Sequence, residues 1–392
     1  MKRLIICCDG TWKTAQDPHI SNIEKIARAI RTRAGDGTMQ LVHYCNGVGT
    51  GATWFDRVIG GAFGRGLDLT LIDAYRFLAL NYEPGDEIFV FGFSRGAYTA
   101  RSLTDMVGTV GLLTADALAC SRGRVNLLDA ALTTYRDYRR TNASNPGSAA
   151  RDALSEFRRH TYGSARADTR PRIKFIGVFD TVGALGVPGV TRQNYGFLNV
   201  ELSDSVDVAR QALAIDERRL TFDPCVWTTD GEGPTDVRQV WFEGVHSDIG
   251  GGLERGEPST LSLTWMVSEA SQHGLEIERA RMPEVLTARP DVLGEEYLPN
   301  NSMSWAYQVV NLMKLIVDPF RVDSRVAKRH KRQVRVLEVT DDAASPMFIA
   351  EPAYRRWAEL SERNKRAKNI SWWVDQLGPE ELEKRVVKIP TL

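Results

Sequence analysis

Ile88-Phe89-Val90-Phe91-Gly92-Phe93-Ser94-Arg95-Gly96-Ala97 runs from an unbroken apolar stretch through a Gly-x-Ser-x-Gly turn into a helical pattern. A short apolar run of β-branched and aromatic residues reads as a buried strand. The glycines at 92 and 96 remove side chains where a tight strand-to-helix turn doubles back on itself. Such a turn lifts the Ser94 hydroxyl above the carboxyl edge of a sheet and aims the N-terminus of the next helix at it. Ser94 is therefore a candidate nucleophile, with Arg95 offering its backbone N–H to developing negative charge. A helix-capping serine on an ordinary turn is the alternative reading of the same residues.

On either side of this stretch, strand-like and helix-like segments alternate. Leu4–Cys8, Gln40–Cys45, Arg172–Phe179 and Val237–Val245 read as strands, and Leu67–Leu80 and Ala97–Val107 as helices. The alternation predicts an α/β fold, a mainly parallel sheet with helices on both faces. Residues 114–169 read as a helical insertion. A helix is expected through Val208–Glu217, and Thr264–Ser271 and Trp305–Val317 read as core helices. The expected organisation is an α/β core over residues 1–252, with a mainly helical part over 253–392 packed on it.

A serine hydroxyl needs a base, and the base needs an orienting carboxylate. Of the six histidines, His246 is the best placed: it ends an apolar strand and enters the loop Ser247-Asp248-Ile249-Gly250-Gly251-Gly252. His19 and His43 precede Ser94, out of the chain order Ser, acid, His expected for this motif. His160, His273 and His330 sit in polar or basic surroundings. Asp180 ends the strand Ile173–Phe179, where polar residues of a parallel sheet gather. Asp248 is a rival acid, and Asp216 and Glu217 are weaker ones. Asp9-Gly10-Thr11-Trp12 closes the first strand and supplies Gly10 and Thr11 as further oxyanion donors. Asp9 also fits an aspartyl phosphatase nucleophile, but the second acid expected two residues on is Thr11 here. The loop Gly47-Val48-Gly49-Thr50-Gly51 lacks the Lys-Ser/Thr of a phosphate-binding loop and reads as the rim of a site. Asp9, Trp12, Gly47, Gly49, Leu185 and Asp248 are the candidate substrate-binding residues.

Composition narrows the setting. Fifty Lys+Arg balance fifty Asp+Glu, which gives no case for nucleic acid or an anionic surface as main partner. Five scattered cysteines without CxxC spacing argue against a disulfide framework or a zinc site and for a reducing compartment. No cofactor or metal is expected. The apolar run after Met1-Lys2-Arg3 is cut short by Asp9, unlike a signal peptide, and no run spans a bilayer. The protein is expected to be cytoplasmic as synthesised, with export by a secretion system open.

Taken together and in order, Cys8-Asp9-Gly10-Thr11-Trp12, Gly47–Gly51, Gly92-Phe93-Ser94-Arg95-Gly96-Ala97-Tyr98-Thr99-Ala100-Arg101, Phe179–Gly183 and Gly244–Gly252 resemble the DUF2235 group of α/β-hydrolases. That group includes phospholipase effectors of bacterial type VI secretion. The resemblance implies a Ser94–Asp180–His246 triad and hydrolysis of acyl esters, with phospholipids as the substrate of the effector members. Gln211 replaces a histidine common in the family, and Cys45-Asn46 replace an acid and proline. Leu185 lies in an apolar segment, Ala184–Val190, that suits a lid. Trp372-Trp373 suit a pocket lining or contact with lipid, although tryptophans are more often plain core, and the basic run Arg325–Arg335 suits transient contact with anionic headgroups at a membrane surface, although charge runs usually face water. Three readings stand: a lipid-directed esterase, an esterase of small soluble esters, and a non-enzymatic binding protein on a hydrolase fold.

Overall fold

The computed structural model describes residues 1–10, 19–47, 62–120, 126–141, 148–164, 170–182, 202–219, 222, 224–227, 235–287, 299–302, 335, 347–359 and 368–391. Eight strands form one sheet: β1 (Lys2–Cys8), β2 (Met39–Cys45), β3 (Glu87–Phe93), β4 (Ile173–Phe179), β5 (Val206–Ala214), β6 (Asp236–Phe242), β7 (Met347–Ala350) and β8 (Val386–Val387). Their spatial order is β2-β1-β3-β4-β5-β6-β7-β8, and every neighbouring pair is parallel. This is the expected α/β-hydrolase-like architecture. The chain leaves β1 toward one edge and returns on its other side at β3, so the strand order reverses between them. Crevices at the carboxyl ends of strands flanking such a reversal are where ligands gather in open α/β sheets.

The central strands are buried on both faces, which explains their continuous apolar runs. Leu4, Ile6, Ile88 and Val90 face one layer, under α2 (Ala62–Asn81), α3 (Arg95–Val110), α5 (Leu127–Thr141) and α6 (Ser148–Arg158), with the short α4 (Ala115–Cys120) between α3 and α5. Ile5, Cys7, Phe89 and Phe91 face the other, under α1 (Asn22–Ala29) and α8 (Glu257–Gln272). A one-turn helix, α7 (His246–Gly250), precedes α8, and α9 (Pro283–Thr287) follows it. Beyond the expected C-terminal helices, α10 (Glu351–Glu359), α11 (Lys368–Leu377) and α12 (Pro379–Glu383), the chain returns twice to the same sheet as β7 and β8. Trp373 is a core residue, buried with its ring centroid 5.8 Å from that of Trp241. Trp305–Val317, and the side chain of Trp372, lie outside the described residues. Among the described residues no helix is long and apolar enough to cross a membrane.

The expected helix through Val208–Glu217 is instead β5. Its Ala, Gln and Arg content favours a helix locally, but the segment completes ladders with β4 and β6 along its length. Its polar residues are satisfied by groups on α8, on β6 and at the end of β4. Arg210 is buried and donates to Glu269 Oε2 at 2.5 Å, Asp236 Oδ2 at 2.6 Å and the Asp236 carbonyl at 2.8 Å. Gln211 accepts from Thr181 Oγ1 at 2.5 Å and donates to Gln239 Oε1 at 2.9 Å. Removing one member of a buried ion pair strands the other in low dielectric. Arg210→Met is therefore expected to destabilise the fold by about 3 kcal/mol, read as a lower urea midpoint at unchanged slope. An unchanged midpoint would mean that Glu269 finds another partner, Arg238 being the nearest cation at 3.8 Å.

Candidate active site

Three strand ends build the site. After β3 the chain turns through Ser94 (φ 58°, ψ −121°) straight into α3. After β4 it turns through Asp180 (φ 39°). Among the described residues these are the two non-glycine positions with positive φ. L-residues pay a steric penalty there, and such backbone persists only where the surroundings hold it. Here the ladder holds it: the Ser94 N–H donates to the Phe179 carbonyl at 3.0 Å and the Asp180 N–H to the Ala212 carbonyl at 2.7 Å. The third element follows β6. His246 lies in α7 rather than in the flexible loop expected from its glycines. Asp248 caps that turn by accepting the Val245 N–H at 2.9 Å.

The side chains form one line. Ser94 Oγ lies 2.8 Å from His246 Nε2, and His246 Nδ1 lies 2.6 Å from Asp180 Oδ2. All three residues are buried. The tautomer follows from the acid. Burial alone would push the Asp180 carboxyl up, but the Arg335 guanidinium and the His246 bond hold it well below the usual carboxylate range. An ionised carboxylate only accepts, so Nδ1 carries the proton and Nε2 is left to accept from Ser94. Burial lowers the basicity of His246, and the Asp180 bond works against that. The imidazole is walled by Phe93, centroids 4.8 Å apart, and by the edge of Phe222 at 4.9 Å.

The other acids have other work. Asp248 also accepts from the Asn300 backbone at 2.9 Å and its side chain at 2.5 Å. Glu217 accepts the backbone N–H of His246 at 3.2 Å and is clasped by Arg219 at 2.8 and 2.9 Å. Burial opposes its ionisation, but Arg219 brings its carboxyl down to about 2. Asp9 is buried, accepting from Gly10 N at 2.6 Å, Ser21 Oγ at 2.5 Å and Tyr44 Oη at 2.5 Å. The Gly10 amide is thus turned to the Asp9 carboxylate in this structure. Arg95 opens α3, whose positive end meets Ser94. Gly47 lies just past β2. Thr11, Trp12, Gly49 and Leu185 lie outside the described residues.

Arg335 was hidden in the sequence. The basic run ending there reads as solvent-facing, yet Arg335 is fully buried, with Nη1 donating to Asp180 Oδ1 at 2.5 Å and Nη2 to Oδ2 at 3.0 Å. Nothing in its local sequence marks a partner 155 residues away. The roles of Glu217 and Arg219 were hidden as well, because the segment before them reads as a helix and not as the strand β5 that delivers them to this edge.

Asp216 gives the site a pH signature. It accepts the Gly244 N–H at 2.8 Å. Burial, then the nearby Glu243 charge, pushes its carboxyl up to about 7. A carboxyl whose folded pKa lies above its unfolded value, about 3.9, stabilises the fold fully below that value. The contribution is lost as pH rises through about 7. Asp216→Asn, which keeps an acceptor for Gly244, is expected to flatten the fall in Tm between about pH 5 and about pH 8. Parallel melting curves for the two proteins across that range would contradict it.

Comparison with known proteins places this geometry in context. A family model described as the catalytic domain of Tle1-like phospholipase effectors of type VI secretion matches residues 2–269. The uncharacterized protein YEL023C of Saccharomyces cerevisiae is 29% identical over 242 residues, 58% of this chain and 33% of its own length. An uncharacterized protein from Pseudomonas aeruginosa aligns over 98% of this chain and 62% of its own at TM-score 0.40 and 14% identity. The Tle1 effector bound to the VgrG spike of the type 6 secretion system aligns over 63% and 50% at TM-score 0.35 and 20% identity. The chain spans about a third of the curated relative's length.

Proposed function

Because this chain belongs to the family of Tle1-like phospholipase-effector catalytic domains, we propose that it hydrolyses carboxylic esters of lipids, with Ser94 as nucleophile, His246 as base and Asp180 as orienting acid. The observation that carries this reading is the unbroken line Ser94 Oγ, His246 Nε2, His246 Nδ1, Asp180 Oδ2, with steps of 2.8 and 2.6 Å across the ring.

In the proposed reaction Nε2 takes the Ser94 proton as Oγ attacks the ester carbonyl. Asp180 stays ionised and steadies the imidazolium. The oxyanion is met by the Arg95 amide and by a second donor, Thr11 or Gly10. Gly10 must leave Asp9 to serve. Loss of one such donor costs about 3–4 kcal/mol of transition-state stabilisation. The imidazolium then returns its proton to the leaving alcohol. Water attacks the acyl-enzyme with His246 again as base, releasing the acid and restoring Ser94. A lipid substrate and export by a secretion system accord with the family description, and brief contact with a membrane surface would accompany such a substrate; Asp9 and Asp248 then act as supports of the turns beside the triad.

The test sets wild type beside Ser94→Ala on phospholipid vesicles and on short-chain soluble esters, with fluorophosphonate labelling of both proteins. Fatty acid released from vesicles by wild type alone supports the reading. Turnover of short esters without any rise on vesicles moves the substrate to small soluble esters. A wild-type protein that neither labels nor turns over any ester sinks the enzyme reading and leaves a binding protein on a hydrolase fold.

A further inference from the structure

The proposed mechanism leaves Arg335 without a role, although its guanidinium makes four hydrogen bonds at the site. Its Nη1 donates to Asp180 Oδ1 at 2.5 Å and to the Ala214 carbonyl at 3.0 Å. Its Nη2 donates to Asp180 Oδ2 at 3.0 Å and to the Phe222 carbonyl at 2.6 Å. The Ala214 N–H adds another donor to Oδ1 at 3.0 Å. The carboxylate is therefore held from both sides: Arg335 and the end of β5 fix its plane, and one lone-pair direction of Oδ2 is left for His246. Position 335 lies beyond the residues 2–269 that match the family model.

A buried guanidinium is costly to desolvate, and a two-pronged bond to a carboxylate is the geometry that best offsets the cost. The consequence for the base is electrostatic. A buried aspartate with no countercharge favours a protonated imidazole beside it, and a protonated imidazole cannot accept from Ser94. Around His246 the described titratable groups are Asp180 with Arg335 on the Nδ1 side, Glu217 with Arg219 behind its backbone, Asp248 capping the same turn and Asp216 on the Gly244 N–H. Asp180 and Glu217 are each matched by a guanidinium, whereas burial raises the carboxyls of Asp216 and Asp248. Resting on the reading of Ser94 as nucleophile, we propose that Arg335 is a positioning residue that fixes the Asp180 carboxylate and, by neutralising it, keeps His246 uncharged and able to act as base near neutral pH. The segment after the family-matched region thus completes the site.

The experiment is the pH dependence of Ser94 labelling by a fluorophosphonate, with full-length wild type, Arg335→Met, Arg335→Gln, Arg335→Lys and Ser94→Ala. Arg335→Met and Arg335→Gln leave net negative charge beside the imidazole. Their acid-limb midpoint is expected to rise by about one pH unit or more, with a maximal rate about tenfold lower or less. Arg335→Lys keeps the charge but loses the second prong, so its midpoint stays with wild type while its rate falls. A folded Arg335→Met or Arg335→Gln protein with the wild-type midpoint overturns the proposal. If circular dichroism shows that both neutral variants fail to fold, Arg335→Lys decides. A wild-type midpoint with a reduced rate then supports the clamp, and a midpoint displaced upward despite the retained charge overturns it. Labelling that persists in Ser94→Ala refutes the nucleophile assignment instead, an outcome distinct from either.

Discussion

Ser94→Ala is expected to lower kcat/KM on an acyl ester about a millionfold, His246→Ala nearly as far, and the double variant no further than either alone. The reason is that hydroxyl and imidazole act as one unit. Without Oγ the base has nothing to activate, and without Nε2 the hydroxyl 2.8 Å away keeps its proton. Residual rate then comes from binding and the oxyanion donors, which neither substitution touches. Asp180→Asn is expected to cost about ten-thousandfold by favouring the wrong imidazole tautomer, and here it brings a second penalty. Asp180 is ringed by four donors, from Ala214 N, Arg335 Nη1, Arg335 Nη2 and His246 Nδ1. An asparagine amide presents two donors of its own, so at least one pair of N–H groups must oppose each other in a dry site. Asp180→Asn should therefore melt below wild type, whereas Ser94→Ala should not. Steady-state kinetics with melting curves on the four variants beside wild type checks both halves. Additive losses in the double variant would mean that Ser94 and His246 act independently.

What could be read from residues alone follows a physical division. Ser94, Asp180 and His246 stand at the ends of apolar runs, and the end of a buried strand is a local feature that a sequence displays. The placement of the first strand, of β3 and of α3 was legible for the same reason. The strand β5 was not, because its Ala, Arg and Gln residues favour a helix when taken alone. They make a strand only with Glu269, Asp236, Thr181 and Gln239 in place to bond Arg210 and Gln211. Arg335 was hidden more deeply. A guanidinium in a basic run looks like every other surface cation until the fold brings a buried carboxylate to it. Asp9 and Asp248 show the converse: both stand where a substrate contact is expected, and both have their oxygens engaged by protein donors. Apolar pattern thus reports where the chain turns, whereas polar pairing across the fold fixes what each charge does.

Gly96→Ala is expected to destabilise the protein by about 4 kcal/mol or more, an effect of a size confined to core disruption and backbone collision. A Cβ at this position would stand 2.2 Å from the Cys8 carbonyl oxygen and 2.4 Å from that of Asp9. Both are backbone atoms at the end of β1, a central strand hydrogen-bonded on both sides, so neither can swing away as a side-chain tip would. The alternative is for α3 to move, but α3 is buried along nearly its whole length. Gly92 closes off the remaining escape, since its own missing Cβ would lie 2.6 Å from the Ala97 Cα. Any shift of α3 away from β1 also carries Ser94 off the imidazole and opens the Asp9-Gly10 turn, so activity should fall with stability. Gly85→Ala is the control. Gly85 has φ 95° but nothing within 4 Å of the added methyl, so it carries only the left-handed backbone penalty of about 1–2 kcal/mol. A Gly96→Ala protein that melts and turns over like wild type, or only as poorly as Gly85→Ala, would mean that the helix bearing the nucleophile does not press against the first strand. The close approach that sets Ser94 above the sheet would then have to be abandoned.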